Sequence, residues 1–503
     1  MSLQLSMNIK ELVGVIDIGS NSLRLMVYDA LDRAPVRIFS ERNLCGLGRD
    51  LGTTGKLNPD GVKAAMNSFA RFSGLIQAMK IKHVFAVATA SLRDAKDGAV
   101  FVKKVKDKFD IDIQVIHGEE EARLSALGVL ANGLGENGII GDFGGGSLEL
   151  IGIQAGKIKH QVTLPLGSLR IQALKNKKER LAYIEGHLKS VEFLKEYKGT
   201  GLYALGGSWR SMARTHMHMS KYPIQVLDHY MISGRKAHDF AELVSLQSLQ
   251  ALERMAGLPQ RRVKDMSSAA LVLERVLNTL RPKEVGFSAT GLREGVLFDQ
   301  LSPSMKRQDP LIYGCRKLAS QTSRFIDEKA LMNLSKWMAP LFKDMDPEMQ
   351  RMQQAACLLS DFGWFEHENF QAEHAFSRIM TLPVYGLNHF GRAVLAISVY
   401  VRHKGYIRQL GREDNELTEA AQKLLSKKEL EQAAVIGLAL RVAYMITGGA
   451  LVLLKYTELK MTDKTIRLIL KDQGQDLKGD IIQSALDALA KPLKRKAVIS
   501  RGI

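Results

Sequence analysis

Residues 13–27 have the sequence VGVIDIGSNSLRLMV, an apolar run that ends at Asp17, a turn of Gly, Ser and Asn, and a second apolar run. Residues 138–151, GIIGDFGGGSLELI, repeat that pattern 125 positions later (142 − 17), so that Asp17 corresponds to Asp142 and Arg24 to Glu149. Each copy predicts a strand, a tight turn and a second strand. A duplicated unit with an acid before each turn predicts two related lobes that face each other across a cleft.

Strand-like and helix-like segments alternate through the first 300 residues, an order that predicts an α/β fold. A helical pattern runs from Gly61 to Met79, a β-rich run follows at 83–89, and a polar linker is expected at 303–310. Beyond the linker helical periodicity dominates, with short strands expected late, at Ala450–Leu454 and Lys464–Leu470. The expected domains are a first lobe at 1–132, a second lobe at 133–305 and a mostly helical region at 306–503.

The charge of the chain predicts a polyanionic partner. Its 503 residues include 71 Lys and Arg against 53 Asp and Glu, a formal net charge of +18. Such a surplus attracts nucleic acid, anionic lipid or a phosphate polymer. The sequence shows no zinc-finger spacing, no aromatic and basic RNA-binding signature, and no basic region followed by heptads. Nucleic acid is therefore not expected as a partner.

The segment Ala433–Leu454 is almost wholly apolar and long enough to cross a bilayer. Arg441 lies in its middle, where a charge costs roughly 2.5–3.5 kcal/mol on insertion scales. A Gly-Gly pair then interrupts the helical run, so a buried helix, a turn and a strand are expected instead of a membrane span. The three cysteines lie far apart, and the N-terminus lacks a signal-peptide pattern, which together predict a cytoplasmic protein without disulfides.

Three glycine-rich turns are candidate phosphate-binding loops, because backbone N–H groups approach phosphate oxygens closely where no side chain intervenes. The first two are the duplicated turns, and the third follows the strand-like run at 202–205. A single turn of this kind is more often only a tight turn, whereas two homologous ones favour a function. The candidates are Gly19, Ser20, Asn21, Ser22, Gly144, Gly145, Gly146, Ser147, Gly206, Gly207 and Ser208.

Three acids are candidate metal ligands. Asp17 and Asp142 precede the duplicated turns, and Glu149 alternates with leucines on the following strand. Mg²⁺ prefers carboxylates, waters and phosphate oxygens, so acids that face each other across a cleft suit it. The alternatives are that each Asp caps its own turn and that Glu149 is an exposed strand carboxylate.

Two further candidates carry charge near these turns. Glu119–Glu121 open a predicted helix, where acids also stabilise the helix N-terminus through its dipole. Consecutive helical residues point in different directions, so at most one or two of these acids are functional. Arg93 is a candidate clamp for a phosphate oxyanion, because a guanidinium binds phosphate through two hydrogen bonds.

Taken together, these stretches resemble the exopolyphosphatase and guanosine-pentaphosphate phosphatase family. The resemblance implies two actin-like, ribonuclease-H-like ATPase lobes that face a cleft. It also implies hydrolytic release of terminal orthophosphate from inorganic polyphosphate, or of the 5′ γ-phosphate of guanosine pentaphosphate, with guanosine tetraphosphate as a further candidate partner. The stretches that carry it are 17–22, 91–93, 118–124, 142–147, 206–207 and 291–295.

The resemblance also implies roles for single residues. Glu121 matches the family's catalytic Glu, which positions or deprotonates the attacking water, and Arg93 matches a phosphate-contacting position. Asp142 and Glu149 match its acidic metal-site positions, with Mg²⁺ as the cofactor. A homodimer is the assembly that the resemblance implies. Met266 and the serines after it depart from the family's usual Pro-Gly pair.

The C-terminal region resembles a degenerate HD-type helical domain. Ser360 stands before Asp361 where an active HD phosphohydrolase has a His–Asp doublet, so no second metal centre is expected there. Three rival functions stay open: guanosine pentaphosphate hydrolysis at the same site, phosphate transfer by a sugar- or carboxylate-kinase-like enzyme, and a regulator that binds polyphosphate or nucleotide without turnover.

Overall fold

A computed structural model of the chain describes residues 11–324, 328–405 and 416–502. The chain divides into two compact units, Met1–Arg307 and Gln308–Ile503. The finer boundary expected between two lobes, at residues 132 and 133, stays a prediction. Each unit has its own sheet or sheets and its own apolar core.

The stretch 303–310, expected to be a linker, contains the boundary between the two units, at residues 307 and 308, and it also contains two helix starts. A short helix begins at Pro303 and a longer one at Pro310, behind the caps Ser302 and Asp309, whose side chains accept backbone N–H groups. Proline suits the first helical position, where its missing N–H is not needed, and Ser and Asp are favoured caps. The polar, proline-containing composition therefore marks two helix starts.

The first sheet of the first unit has five strands. They are β1 Val13–Ile18, β2 Ser22–Tyr28, β3 Arg37–Leu44, β4 His83–Ala88 and β5 Ile113–Val115. Their order is β3-β2-β1-β4-β5, with β1 antiparallel to β2 and parallel to β4. The helices that follow these strands are α1 Leu51–Thr54, α2 Pro59–Ala78, α3 Ala90–Asp94, α4 Gly98–Phe109 and α5 Gly118–Ala131. The helix expected at 61–79 is thereby confirmed as α2.

The second sheet has six strands. They are β6 Gly138–Phe143, β7 Leu148–Gln154, β8 Lys157–Leu164, β9 Gly201–Leu205, β10 Tyr230–Ser233 and β11 Glu284–Phe287, in the order β10-β11-β9-β6-β7-β8. The helices of this half are α6 Ser168–Ala173, α7 Lys177–Lys189, α8 Gly207–Met219, α9 Gly234–Ser245, α10 Leu249–Glu253, α11 Val263–Leu280, α12 Leu292–Asp299 and α13 Pro303–Lys306. Strands β6 and β9 are parallel, and β6 and β7 are antiparallel.

The predicted duplication is present in the backbone. The N–H of Gly19 donates to the carbonyl of Ser22 at 3.1 Å, and the N–H of Gly144 donates to that of Ser147 at 3.0 Å. Both turns join antiparallel strands whose apolar side chains are buried on both faces. Strands with two covered faces need continuous apolar runs, which is the pattern that made the repeat visible.

Helices α5 and α12 pack closely against each other and against the two sheets: α5 lies on β7 and β8, and α12 contacts β1. Glycine permits this approach. A Cβ on Gly128 would lie 2.0 Å from the carbonyl oxygen of Gly291, and one on Gly295 would lie 1.8 Å from that of Leu124. Any larger residue at either position would push the helices apart. This contact fixes the N-terminal ends of α5 and α12 beside the duplicated turns.

The second unit is mostly helical, as predicted. Its helices are α14 Pro310–Thr322, α15 Glu328–Met338, α16 Pro347–Leu358, α17 Gln371–Met380, α18 His389–Lys404, α19 Glu416–Gln422, α20 Lys427–Thr447 and α21 Asp480–Ala490. A three-stranded sheet contains β12 Thr457–Met461, β13 Thr465–Leu470 and β14 Lys496–Arg501, in that order.

Of the two late strands expected in this unit, one is confirmed and one is wrong. The expected Lys464–Leu470 corresponds to β13, whereas Ala450–Leu454 is not a strand, because Leu451–Tyr456 form a 3₁₀ helix. The preceding Gly448 and Gly449 have φ values of 59° and 95°. This double left-handed turn ends α20 and directs the chain into a short helical turn.

Helix α20 accounts for the long apolar stretch. Among the described residues it alone combines the length and apolarity of a bilayer-spanning helix, and 72% of its most apolar window is buried. It packs against α18 and α21. The guanidinium of Arg441 donates to the carbonyls of Arg402 and His403 at 3.2 and 2.7 Å. Helix α20 therefore has the composition of a core helix. Its Arg441 donates hydrogen bonds to the last carbonyls of α18.

Candidate active site

The structure brings together the acids that precede the two duplicated turns. Asp17 is the last residue but one of β1 and Asp142 the last but one of β6, and the side chain of Asp17 is 27% exposed. Burial raises the pKa of Asp17, and the negative charge of Asp142 raises it further. The two carboxylates therefore lie in one partly buried cleft, which is the arrangement that the repeat predicts.

Glu121 lies in the first turn of α5 and reaches the same cleft. One of its oxygens lies 3.8 Å from a terminal nitrogen of Arg93, and its side chain is 18% exposed. Burial raises the pKa of Glu121 to about 8, and the charges of Asp142 and Asp17 add to the effect of burial. A carboxyl group whose pKa lies near the working pH is suited to accept a proton from water. Glu119, by contrast, is exposed.

Glu149 is buried, so the alternative of an exposed strand carboxylate is wrong. It lies on β7 directly opposite Asp142 on β6, and it is 2% exposed. Burial raises the pKa of Glu149 well above its ordinary value, and the neighbouring Glu121 and Asp142 add to this. Its Oε1 atom is buried and has no hydrogen-bond partner among the described residues.

Ser125 is a functional-site residue that sequence reasoning missed. It is fully buried on α5, and its hydroxyl donates to Oδ2 of Asp142 at 2.8 Å. It stands four residues after Glu121, and residues at that spacing share one face of a helix. That spacing is the signal that could have identified it. The hydrogen bond orients the carboxylate of Asp142.

Arg293, in the first turn of α12, was also missed as a site residue. It is 8% exposed, and its Nε lies 3.8 Å from Oδ2 of Asp17. Its neighbour Glu294 accepts the hydroxyl of Tyr28 at 2.7 Å and the N–H of Gly291 at 2.9 Å, which fixes the start of α12. Because the contact joins α12 to β1, which is distant in sequence, the sequence marked the segment but not the role.

Further arginines lie among the acids of the cleft. Burial and the charge of Arg293 lower the pKa of Arg24 to about 10, and the same two causes lower the pKa of Arg210. Arg93 is held by Asp94 at 3.0 Å and by the carbonyl of Ile116 at 3.2 Å. Crowded guanidinium groups repel one another unless an anion lies between them. The cleft is therefore electrostatically prepared for a polyanion.

The duplicated turns offer backbone donors. The N–H groups of Gly145 and Gly146 donate to no acceptor among the described residues, and a Cβ on Gly146 would point into open space. The carbonyl of Ser20 accepts the N–H of Gly48 at 2.8 Å, which braces the first turn from outside. The hydroxyl of Ser22 accepts Nε of Arg42 at 3.1 Å. The second turn therefore has two backbone N–H groups that can donate to an anion, and phosphate binding by both turns stays a prediction.

The third turn starts α8 next to Asp142. Gly206 has φ of 95°, and a Cβ there would lie 2.1 Å from the carbonyl oxygen of Phe143, so this position needs glycine. Arg262 lies against Gly207, since a Cβ on Gly207 would meet its terminal nitrogen. Arg210, in the first turn of α8, does not donate into the turn. It donates to the carbonyls of Ser288 and Thr290 at 2.7 and 2.8 Å, which anchors the loop before α12.

The residues of the cleft fit a magnesium ion that is completed by substrate. The described residues contain no group of three or more His, Cys, Asp or Glu that could hold a metal by themselves. Mg²⁺ does not need one, because it usually keeps several waters and binds one or two carboxylates plus substrate phosphates. The unpartnered Oε1 of Glu149, buried opposite Asp142, is the oxygen that such an ion would satisfy.

Comparison with known protein families covers both units. The profile of the "Ppx/GppA phosphatase family" matches residues 26–303, and that of "Exopolyphosphatase, C-terminal" matches residues 327–499. A crystal structure of the Aquifex aeolicus family member aligns with a TM-score of 0.50 and 25% identity, over 58% of this chain and 99% of that one. The predicted actin-like α/β fold is thereby confirmed.

The relatives carry different names. Retrograde regulation protein 2 of Saccharomyces cerevisiae is 24% identical over 79% of this chain and 74% of its own length. Guanosine-5'-triphosphate,3'-diphosphate pyrophosphatase of Photobacterium profundum is 22% identical over 70% and 71%. Exopolyphosphatase 1 of Mycobacterium tuberculosis is 25% identical over 58% and 88%. With the first profile spanning more than half of its residues, the chain belongs to the Ppx/GppA phosphatase family.

Proposed function

We propose that this protein is an exopolyphosphatase, which hydrolyses the terminal phosphoanhydride bond of inorganic polyphosphate. The observation that carries the proposal is the position of Glu121, a carboxyl with raised pKa that lies 3.8 Å from Arg93 and shares the cleft with Asp142. A general base, an oxyanion clamp and two glycine-rich turns are the parts that phosphoryl transfer requires.

The chain end would bind through backbone and guanidinium donors. The N–H groups of the two duplicated turns would donate hydrogen bonds to the terminal phosphate oxygens, and Arg93 would face the phosphoryl group that is transferred. Arg293 would compensate the negative charge of Asp17, so that this carboxylate does not repel the phosphate. Positioning and neutralisation of charge supply most of the catalysis in reactions of this type.

In the reaction, a water oxygen attacks the terminal phosphorus in line with the bridging oxygen. Glu121 accepts a proton from that water as the new P–O bond forms. The bridging P–O bond breaks, and its electron pair stays on the oxygen of the polyphosphate that is shortened by one unit. Orthophosphate is the second product, and the proton later leaves Glu121 to solvent. No oxidant or second substrate is needed.

A magnesium ion would complete the site. Asp142 and Glu149 would hold it, with Asp17 of the opposite strand pair as the third acid predicted from the sequence. When bound, the ion would neutralise phosphate oxygens as negative charge develops on the leaving group. Ser125 would keep the carboxylate of Asp142 in one orientation through its 2.8 Å hydrogen bond. Hydrogen bonds of this kind commonly govern metal affinity.

Two alternatives have specific support. The relative from Photobacterium profundum is named for a guanosine nucleotide substrate, and Arg262 beside Gly207 is a cation at the edge of the cleft that a nucleotide could contact. The relative from yeast is named as a regulation protein, which favours a binder without turnover. The net charge of +18 favours the long polymer over the nucleotide. A homodimer and a cytoplasmic location stay predictions of the sequence.

Orthophosphate release separates these functions. The purified protein would be supplied with long-chain polyphosphate or with guanosine pentaphosphate at equal concentrations of terminal phosphate, in Mg²⁺ and in chelator. We expect faster release from polyphosphate and loss of release in chelator. Faster release from the nucleotide would reassign the substrate. Binding of polyphosphate without release from either compound would support the regulator and overturn the proposal.

A further inference from the structure

Two buried oxygen atoms beside the cleft lack a hydrogen-bond partner among the described residues. They are Oε1 of Glu149 and Oγ1 of Thr163. Glu149 lies on β7, and Thr163 lies directly opposite it on β8. A buried polar atom without a partner is costly, so two such atoms on neighbouring strands mark a place where a water or an ion supplies the missing contact.

These two residues belong to a row that crosses three strands. Asp142 on β6 lies opposite Glu149, and Glu149 lies opposite Thr163. Directly opposed residues of antiparallel strands point to the same face of a sheet, with Cβ atoms about 4.5–5.5 Å apart. Helix α5 covers this face, because a Cβ on its first residue, Gly118, would lie 2.8 Å from Oγ1 of Thr163. Thr163 therefore faces the same helical turn that carries Glu121.

The duplicated motif gives this row a counterpart in the first sheet. There Asp17 lies opposite Arg24, and Arg24 lies opposite Arg42. The first row thus contains one carboxylate and two guanidinium groups, whereas the second contains two carboxylates and a hydroxyl. Mg²⁺ is bound by oxygen ligands and usually keeps several of its waters. The second row therefore suits a hydrated cation along its whole length, and the first row does not.

The spacing of the strands decides how Thr163 can serve such a cation. Neighbouring strands lie about 4.8 Å apart, so the backbone of Thr163 is roughly 10 Å from that of Asp142, across two spacings. Side chains stand nearly perpendicular to a sheet, and the ligands of Mg²⁺ lie about 2.1 Å from the ion. The short threonine side chain therefore cannot share one Mg²⁺ directly with Asp142, whereas a water can bridge the remaining distance.

We propose that Thr163 is a positioning residue of the cation site, whose hydroxyl holds a water of the cation next to Glu149. This inference rests on the cation site of the proposed function. The hydroxyl accepts a hydrogen bond from that water, and both carboxylates stay available to the ion itself. Partners that orient the ligands of a metal commonly change its affinity 10–100-fold. Thr163 would thus govern how tightly the site holds its cation.

Thr163→Val tests the role of the hydroxyl, because valine keeps the β-branched shape that suits a strand and removes the polar atom. Thr163→Ser restores a hydroxyl and is the rescue variant. Thr465→Val makes the same change on β13 of the second unit and is the matched control. Mn²⁺ is titrated into the full chain without substrate, the free ion is followed by electron paramagnetic resonance, and Mg²⁺ is added as the competitor.

We expect Thr163→Val to weaken the binding of Mn²⁺ about 10–100-fold, and we expect Thr163→Ser and Thr465→Val to bind it as the wild type does. The melting temperature in chelator separates this role from a structural one. Removal of a buried hydroxyl that has no partner in the fold should leave the melting temperature of the metal-free protein unchanged or raise it. Removal of a hydroxyl that supports the fold would lower it.

Two results would overturn the role of Thr163 alone: unchanged Mn²⁺ affinity in Thr163→Val, or a loss of affinity together with a lower melting temperature in chelator. A wild-type protein that binds no Mn²⁺ would overturn it together with the cation site. Glu149→Gln distinguishes these failures, because it should abolish binding wherever the cation site exists, even if Thr163→Val binds normally. Since no substrate is present, the outcome does not depend on which phosphate compound the protein hydrolyses.

Discussion

Asp142 on β6 lies directly opposite Glu149 on β7, in the same register that places Asp17 opposite Arg24 across β1 and β2. The duplicated motif therefore places two acids opposite each other in one copy, and an acid opposite an arginine in the other copy. Arg24 and Arg293 already compensate Asp17, whereas Oε1 of Glu149 has no partner among the described residues. The principal ligands that we propose for the cation are accordingly Asp142 and Glu149.

Replacement of Glu121 by Gln should abolish most turnover. The amide keeps the size of the side chain but accepts no proton from water, and loss of a general base typically lowers kcat about 10²–10⁴-fold. KM for polyphosphate should change little, because the phosphate-binding turns are intact. Steady-state kinetics measures both constants. Glu119→Gln, an exposed acid on the same helical turn, is the control; equal losses in both variants would refute the role of Glu121.

The pH profile of kcat/KM should show a rising limb at unusually high pH for a carboxylate. Burial and the charge of Asp142 raise the pKa of Glu121 to about 8, so the unprotonated base becomes common only as the pH increases through that region. The profile of kcat/KM reports groups of the free enzyme. Assays from pH 5 to 9 at fixed low Mg²⁺ measure it. A profile already flat above pH 5 would contradict a raised pKa.

Glu149→Gln should stabilise the metal-free protein while it removes the response to Mg²⁺. Burial raises the pKa of Glu149, so its contribution to stability is present below the pKa of the unfolded chain and is lost as the pH rises. The advantage of the variant in melting temperature should therefore grow towards pH 8. Each kcal/mol corresponds to a shift of about 2–4 °C in a unit of this size.

The control for that variant is Glu284→Gln, at an exposed position of β11. It should leave the melting temperature and the Mg²⁺ response as they are in the wild type. Mg²⁺ should raise the melting temperature of the wild type and of this control, since a ligand that binds the folded state stabilises it. A Glu149→Gln protein that Mg²⁺ still stabilises normally would place the ion elsewhere.

Arg93→Lys should lower kcat although it keeps the positive charge. Lysine lacks the planar fork that contacts two phosphate oxygens at once, and loss of one such stabilising group costs about 10²–10³ in kcat. Arg71→Lys is the matched change at an exposed arginine, whose side chain is 60% exposed and pairs with Glu41. Unchanged kcat in Arg93→Lys would show that charge alone suffices there and would remove the clamp from the mechanism.

The sequence predicted the parts of the site that are local. Asp17, Asp142 and their turns occupy consecutive positions in a strand–turn–strand unit, so the repeat alone indicated a paired arrangement. Ser125 and Arg293 were missed because each contacts an acid on a strand that is distant in sequence, Asp142 on β6 and Asp17 on β1. The spacing of Ser125 from Glu121 places both on one face of α5, but it does not identify the acid that Ser125 contacts. Gly128 and Gly295 permit the close packing of α5 and α12, and nothing in the sequence indicates that these two glycines lie at one contact.

The errors in secondary structure have a similar cause. The apolar run Ala450–Leu454 is short, and periodicity alone does not distinguish a strand from a helical turn over five residues. The positive φ values of Gly448 and Gly449 decide the direction of the chain, and they depend on how α20 ends in the folded unit. The linker prediction at 303–310 located the boundary between the units, but it overlooked the capping signals of Ser302 and Asp309, behind which two helices begin.

Hydrolysis of polyphosphate in ¹⁸O-labelled water measures the central proposal most directly. Mass spectrometry of the released orthophosphate should find one ¹⁸O per phosphate, because the water oxygen forms the new bond to phosphorus. The rate of its appearance should fall about 10²-fold or more in Glu121→Gln. Release without ¹⁸O in the first turnover would mean that water attacks the penultimate phosphorus and that orthophosphate is the leaving group. Labelled release that is undiminished in Glu121→Gln would contradict the assignment of that residue as the base.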